Sequence, residues 1–440
     1  MVTLGVLIYA MGISYLPLFQ TTITSISNFL IFSLSAVALV VSILAISFTL
    51  TEYSRFKFKQ LRDRMILYLE KTLEPLMDFY SGTDGLLDTS SFFGDAQLKE
   101  DSDKKINLFI KKEWIPEKPK ILGEADVDPK INLELKTKQI NRGSLGGKHL
   151  IPMSYLFRRY DSFSSAIQFL EGHVFIEHRP LFVLDRFQEG KIYCRVSTYR
   201  KFIDTSEILA LESIKYLNIK DMKLNEGRMK LRKRLSSPPN FKLYEGGLGI
   251  NTLTVYENTI AVDSSDRWKF ILHYRDPSKV SAAKGFLHVV PAGEFEAQGN
   301  SPEIIERDFR FWRTILREYN EELLGGSEIY YGDDYLKTWP FSKMEELSRK
   351  GEIKCFFLGM TVDLPNLKPN VLTVCVFRGD SFKQIFGNMV SKDAEGDVID
   401  GLSFNEQNIK FLLHDKREAI TESAKFILLD SWKYREIILN

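Results

Sequence analysis

Three glutamates near the end of a predicted helix are the residues of this chain best suited to chemistry. The segment REYNEE, residues 317–322, places Glu318, Glu321 and Glu322 at i, i+3 and i+4, so an α-helix carries all three carboxylates on one face. Mg²⁺ takes hard oxygen ligands and typically bridges to substrate phosphates. The spacing therefore predicts a metal site at these glutamates, and Arg317 is expected to pair with Glu321 one turn on. A solvated charged helix face is the alternative.

A strand and a helix must position these carboxylates. Phe286–Val290 is a β-like run, and Pro302–Leu324 is a helical run. On that helix Leu316, Tyr319 and Leu323 form a separate apolar face that would dock on a sheet. Further strand-like and helical runs alternate from there to the C-terminus. This order predicts an α+β fold, an α/β/α sandwich.

The segment Pro291–Gly325 resembles the Nudix box, G-x5-E-x7-R-E-U-x-E-E-x-G-U, in which U is apolar. The Arg-Glu-x-x-Glu-Glu core matches at each fixed position. The resemblance implies that Glu318 and Glu322 are the leading Mg²⁺ ligands beside a diphosphate, with Glu321 supporting them. These three are also the catalytic residues if the protein is an active hydrolase. A later loop supplies a further acid in this fold, and Glu395 is the candidate here.

The segment also departs from the Nudix box. The first glycine, Gly293, stands farther from the arginine than the box allows. The expected glutamate position holds Gly299 when counted from that glycine, and Phe309 when counted back from the arginine. Glu303 or Glu306 of the inserted segment could replace it. The box is degenerate, so we expect a retained fold that binds a ligand rather than an active hydrolase.

The N-terminal residues predict a membrane anchor. Val2–Phe19 and Phe29–Leu50 contain no Asp, Glu, Lys or Arg, and about 20 apolar residues suffice for a helix to span a bilayer. Five basic residues between 55 and 64 follow the second stretch, which keeps the rest of the chain in the cytoplasm. The expected structure is a two-helix transmembrane hairpin. A cleaved signal peptide and a buried soluble hairpin are the alternatives.

Composition and a basic run add further expectations. The net charge is +1, with 59 basic and 58 acidic residues, so no nucleic acid polymer is expected as a partner. Lys230 and Arg232 lie in the basic run Lys223–Arg234 and are candidates for phosphate contact, with a solvated helix face as the alternative. Cys194, Cys355 and Cys375 are scattered without zinc-ligand spacing and predict buried, reduced thiols.

The predicted organisation has four parts. These are a transmembrane hairpin (1–50), a helical stalk and connector (51–147), an intermediate α+β region with a basic linker (148–240), and a Nudix-like domain (241–440). The candidate ligand-binding residues are Gly293, Glu294, Arg317, Lys230 and Arg232.

This arrangement resembles the SMODS-associated Nudix effectors of bacterial CBASS antiphage systems. The resemblance implies that the cytosolic domain senses a cyclic nucleotide. It also implies that homo-oligomers of the hairpin then disrupt the lipid bilayer of the cell inner membrane, causing abortive infection. Two alternatives remain: a membrane-anchored, Mg²⁺-dependent hydrolase of nucleoside diphosphate derivatives, and a scaffold with an inactive pocket.

Overall fold

The computed structural model describes residues 37–45, 108–123, 129–131, 162–171, 179–218, 223–235, 240–275, 285–326, 333–391, 396–414 and 420–440. It also describes single residues or pairs at 48–49, 52–53, 55–56, 76 and 106. We label the elements from residue 108 onward.

The predicted transmembrane hairpin requires correction. Residues 37–45 and 48–49 of the second apolar stretch are helical, but among the described residues no helix has both the length and the apolar character needed to cross a bilayer. The first stretch, Val2–Phe19, lies outside the described residues. What the structure describes is a mixed α/β fold built on a curled sheet.

The strands, in chain order, are β1 (Leu108–Phe109), β2 (Lys120–Ile121), β3 (Lys130–Ile131), β4 (Pro180–Gln188), β5 (Lys191–Thr198), β6 (Leu217–Asn218), β7 (Lys223–Leu224), β8 (Gly249–Glu257), β9 (Trp268–Arg275), β10 (Leu287–Val289), β11 (Ala292–Glu294), β12 (Ile353–Asp363), β13 (Lys368–Phe377) and β14 (Gly396–Ser403). The helices follow: α1 (Phe163–Glu171), α2 (Tyr199–Phe202), α3 (Ile208–Tyr216), α4 (Lys230–Arg234), α5 (Pro302–Asp308), α6 (Phe311–Glu318), α7 (Phe341–Arg349), α8 (Ser381–Phe386), α9 (Glu406–His414), α10 (Glu422–Lys433) and α11 (Arg435–Ile438). Two π-helical segments, Ile203–Glu207 and Tyr319–Leu323, continue α2 and α6.

The main sheet has nine strands. Its central path runs β1, β12, β13, β8, β9 and β10. Three further strands pair with members of this path: β11 with β8, β14 with β9, and β2 with β12. β13 runs parallel to β8, whereas the other pairings of this sheet are antiparallel. A tight turn joins β12 to β13, and the two strands form the longest paired hairpin of the sheet. β1 and β2 come from the predicted connector, so this part of it completes the edge of the sheet beside β12.

Alternation of apolar side chains lets the sheet bury both faces. On β8, Ile250 packs into the core that contains α6, whereas Leu253 and Val255 pack into the core that contains α10. On β13, Val371 and Cys375 face the first core, and Leu372, Val374 and Val376 face the second. Helices therefore cover the sheet on both sides, with the glutamate helix α6 on one side and α10 on the other.

A second, three-stranded sheet joins the α6 side of the main sheet. Its order is β3, β5, β4, and its apolar residues lie in the same core cluster as those of α6. Isolated bridges connect Leu181 to Glu296 and Val183 to Gly247. The backbone bonds Phe182 N to Phe295 O (2.9 Å) and Leu248 N to Phe182 O (3.0 Å) fasten β4 along this margin. Residues from both sides of position 240 thus share one core.

One local prediction was wrong. The single helix predicted for Pro302–Leu324 is interrupted at Phe309 and Arg310, where the backbone of Arg310 is extended.

Candidate functional site

The glutamate helix docks on the sheet through the face that its sequence predicts. Leu316, Tyr319 and Leu323 are fully buried. The Tyr319 hydroxyl lies 2.8 Å from Thr254 Oγ1 on β8, a hydrogen bond that fixes the helix over the sheet. The carboxylates near the end of this helix are therefore held against a rigid support.

The glutamates do not lie on a regular α-helix. After Glu318 the chain takes the π-helical turn Tyr319–Leu323, whose hydrogen bonds close over i→i+5. This wider turn changes the angular spacing of Glu321 and Glu322 from that of a regular α-helix. It also takes up one extra residue before Gly325, whose φ of 66° ends the helix. The late glycine of the degenerate box thus has a structural counterpart.

Glu318 and Glu322 both reach β11, at adjacent residues. An Ala292 N–H donates to Glu322 Oε2 at 3.0 Å, and Glu322 is 5% exposed. The half-buried Glu318 carboxyl rests on Gly293, where a Cβ would lie 2.1 Å from its carboxyl carbon. Gly293 leaves room for the Glu318 carboxyl, because a side chain at this position would overlap the carboxyl unless Glu318 moved aside.

Arg317 is a structural residue in this arrangement. It is 1% exposed, and its Nη2 donates to Glu296 O at 2.8 Å and to Thr314 Oγ1 at 3.2 Å. Its Nη1 lies 3.9 Å from Asp308 Oδ2. The expected pairing with Glu321 is replaced by these contacts. The buried guanidinium ties α6 to the residue two positions after β11, and it presents no surface to a ligand.

Asp308 is the carboxylate that the sequence reasoning missed. It is fully buried at the end of α5, pairs with Arg307 at 2.8 Å, and accepts a hydrogen bond from Gln298 N at 2.9 Å. The next residue, Phe309, packs in an aromatic cluster with Phe182 and Phe295. The sequence does contain one signal for Asp308: this acid lies one position before Phe309, where the box expects its glutamate. Glu303 and Glu306, the two residues that could replace the missing glutamate of the box, are exposed on α5.

Glu294 belongs to a different cluster from Glu318. Neighbouring residues of a strand point to opposite faces, so Glu294 is directed away from the face of Gly293 that Glu318 covers. Its Oε1 accepts a hydrogen bond from Lys368 Nζ, and the two groups form an ion pair. Burial alone would lower the pKa of Lys368, but Glu294, Glu207 and Asp363 raise it overall.

The two further acids of this cluster have raised pKa values. Burial raises the pKa of Asp363 to about 6, against the opposing effects of the Asn370 hydrogen bond and Lys368. Burial also raises the pKa of Glu207, whose carboxylate accepts a hydrogen bond from Asn366 at 2.7 Å. Three carboxylates thus surround one lysine at this end of the sheet.

The two candidates from the basic run lie in different environments. Lys230 is exposed at the start of α4. Arg232 is 1% exposed, and its guanidinium donates to Leu364 O at 2.9 Å, Pro365 O at 2.5 Å and Ser213 Oγ at 2.9 Å. It therefore fastens the β12–β13 turn to α3 and has no surface for phosphate.

The predicted metal site is only partly assembled. Glu318 and Glu322 offer the oxygen donors that Mg²⁺ prefers. Within the described ranges, however, no group of three or more His, Cys, Asp or Glu side chains could hold a metal ion. Glu395 lies outside the described residues. The donors placed within the described residues do not form a metal centre.

Comparisons with known proteins add no assignment. A scan against protein-family models and a search of curated proteins each give no match for this chain. The residues of the Nudix-like segment are therefore the whole basis for a functional interpretation.

We expect Gly293→Ala to displace the Glu318 carboxyl from β11. The new Cβ would overlap that carboxyl, and we expect the free energy of unfolding to fall by about 1 kcal/mol because a flexible side chain can move aside. Chemical denaturation measures this change. In a Glu318→Ala background the cost should disappear, because the clashing group is gone. Gly227→Ala is the matched control, since its Cβ would meet only Asn225 Oδ1 at 3.5 Å. An equal cost in both backgrounds would contradict the assigned contact.

Proposed function

We propose that this protein senses a cyclic nucleotide through its Nudix-like part and that this part does not hydrolyse the ligand, as its resemblance to the SMODS-associated Nudix effectors of CBASS antiphage systems implies. The membrane-spanning output of those effectors is not part of the proposal, because the predicted hairpin was corrected above.

One observation carries this proposal. The segment that resembles the box forms a strand, a loop and a helix docked on the sheet, and the residues at the box positions are engaged in structural contacts. Arg317 holds Glu296 O, Glu322 accepts from the backbone of β11, and the position of the missing glutamate is occupied by the packed side chain of Phe309. A scaffold of this kind supports a binding surface without requiring a catalytic set.

The half-buried carboxylates provide the chemistry for recognition. Glu318 and Glu321 lie at the margin of the docked helix. Ionised carboxylates accept hydrogen bonds, so they suit the hydroxyl groups of ribose and the amino groups of bases. Such contacts could distinguish nucleotides without cleaving them.

Calorimetry tests the proposal. The purified full chain is titrated with cyclic dinucleotides and cyclic trinucleotides, with EDTA present and with Mg²⁺ present. We expect binding of at least one of them, unchanged ligand on recovery, and an affinity loss of about tenfold or more for the double variant Glu318→Gln/Glu321→Gln. Glu306→Gln, on the exposed face of α5, is the matched control and should bind as the wild type does. Absence of binding to every cyclic nucleotide would refute the sensor.

A hydrolase of nucleoside diphosphate derivatives is the second candidate. The convergence of Glu318 and Glu322 on β11 favours it, because these are the two leading ligand positions of the box. Incubation of the full chain with Mg²⁺ and such derivatives, followed by measurement of released phosphate or mononucleotide, tests it. Turnover that Glu322→Gln abolishes would establish this candidate in place of the sensor.

A further inference from the structure

Two cysteines face each other across the β12–β13 hairpin. Cys355 and Cys375 are register partners in this antiparallel pair, and their thiols are in hydrogen-bonding contact. Directly opposed residues of antiparallel strands have Cα atoms about 4.5–5.5 Å apart. A disulfide requires about 4.4–6.8 Å. The backbone therefore already has the separation that a bridge between these strands needs.

The pair lies beneath the glutamate helix. The Tyr319 hydroxyl contacts the Cys375 thiol as well as Thr254 Oγ1. Tyr319 begins the π-helical turn that separates Glu318 from Glu321. A chemical change at Cys375 would therefore alter a contact that anchors this turn.

We propose that Cys355 and Cys375 form a reversible disulfide when the protein meets a peroxide oxidant. In the first step one thiol loses its proton, the thiolate sulfur attacks one oxygen of hydrogen peroxide and the O–O bond breaks. A sulfenic acid forms, and the departing hydroxide takes up the proton and leaves as water. In the second step the other thiol attacks the sulfenic sulfur, the S–S bond forms and a second water leaves. The two sulfurs are oxidised, the peroxide is reduced, and an external dithiol reverses the reaction.

The burial of the two cysteines in the hairpin determines how fast the disulfide forms. Both cysteines are buried, and burial raises the pKa of the Cys355 thiol, so little thiolate exists while the strands are paired. Two residue pairs, Ile353–Phe377 and Lys354–Val376, and the backbone bond from Arg378 N to Glu352 O lie between the cysteines and the open end of the hairpin. Ile353 and Phe377 are themselves buried, so oxidant and reductant reach the thiols only when the hairpin opens. Oxidation and its reversal should therefore both be slow.

Peptide mass analysis tests the proposal. The reduced full chain is exposed to hydrogen peroxide, quenched, unfolded in denaturant, alkylated and digested. We expect one cross-linked peptide that joins Cys355 to Cys375, lighter by two hydrogens than the reduced pair, with Cys194 alkylated. Urea below the unfolding transition should increase the rate of cross-linking, and dithiothreitol should restore all three thiols.

Single replacements separate this pair from general oxidation. Cys194→Ser is the matched control and should retain the cross-link, because Cys194 lies on β5 away from the pair. Cys375→Ser should abolish the cross-link and leave Cys355 open to alkylation. Sulfonic acids, cross-links between chains, or three alkylated cysteines after exposure in sub-denaturing urea would each overturn the proposal.

Discussion

Arg232→Met should lower the free energy of unfolding by about 4 kcal/mol. The change leaves buried acceptors of the β12–β13 turn and of α3 without their donor, and each buried unsatisfied group costs about 1–3 kcal/mol. Chemical denaturation of the full chain, followed by circular dichroism, measures the shift. The midpoint should fall while the dependence on denaturant concentration keeps its slope.

Lys230→Met is the matched control for this prediction. It removes a cation of the same basic run from an exposed position, and we expect a change within about 0.5 kcal/mol. Comparison of the two variants distinguishes a structural role of Arg232 from a phosphate-binding role. If Arg232→Met kept full stability and lost only nucleotide binding, the structural assignment of Arg232 would be wrong.

Asp430→Asn should stabilise the protein at neutral and alkaline pH by about 4 kcal/mol. Asp430 is 3% exposed in α10, and burial raises its pKa from 3.8 to about 7, against a smaller opposing effect of Lys433. The folded state therefore binds the proton more tightly than the unfolded state. Stability from this group is complete below pH 3.8 and is lost as pH rises through 7. Asparagine carries no charge and avoids this loss.

The gain of Asp430→Asn should depend on pH in a defined way. It should be constant above pH 7 and shrink by about 1.4 kcal/mol for each pH unit below 7. Denaturant midpoints measured from pH 5 to pH 8.5 give this profile. Asp400→Asn, which removes one negative charge from an exposed position, serves as the control and should leave the curve parallel to wild type. A gain that stayed the same at every pH would contradict the assigned cause.

The sequence predicted the glutamate helix and its docking face because both follow from helical spacing. Leu316, Tyr319 and Leu323 recur on one side and are buried together. Strands were also found where apolar runs are bounded by turns, as for the stretches now assigned to β12 and β13. These signals are local, and local patterns can be recognised without knowledge of the fold.

The roles of the charged residues could not be predicted from spacing. Arg317 and Arg232 are cations in suggestive positions, but their partners are backbone carbonyls far along the chain, such as Leu364 O. The ion pair of Lys368 with Glu294 likewise joins residues from β13 and β11. Only the register of the sheet brings such groups together, and register is a property of the folded chain.

The seam between β4 and the main sheet has a practical consequence for dissecting the protein. A fragment starting at residue 241 would lose the strand whose backbone bonds to Phe295 and Leu248. Those amides and carbonyls would then form an open strand edge beside the glutamates, ready to pair with another molecule. Self-association of such a fragment would reflect the cut and not the assembly state of the intact chain. A fragment that keeps both β4 and the strands that cover the β12 edge begins before Leu108.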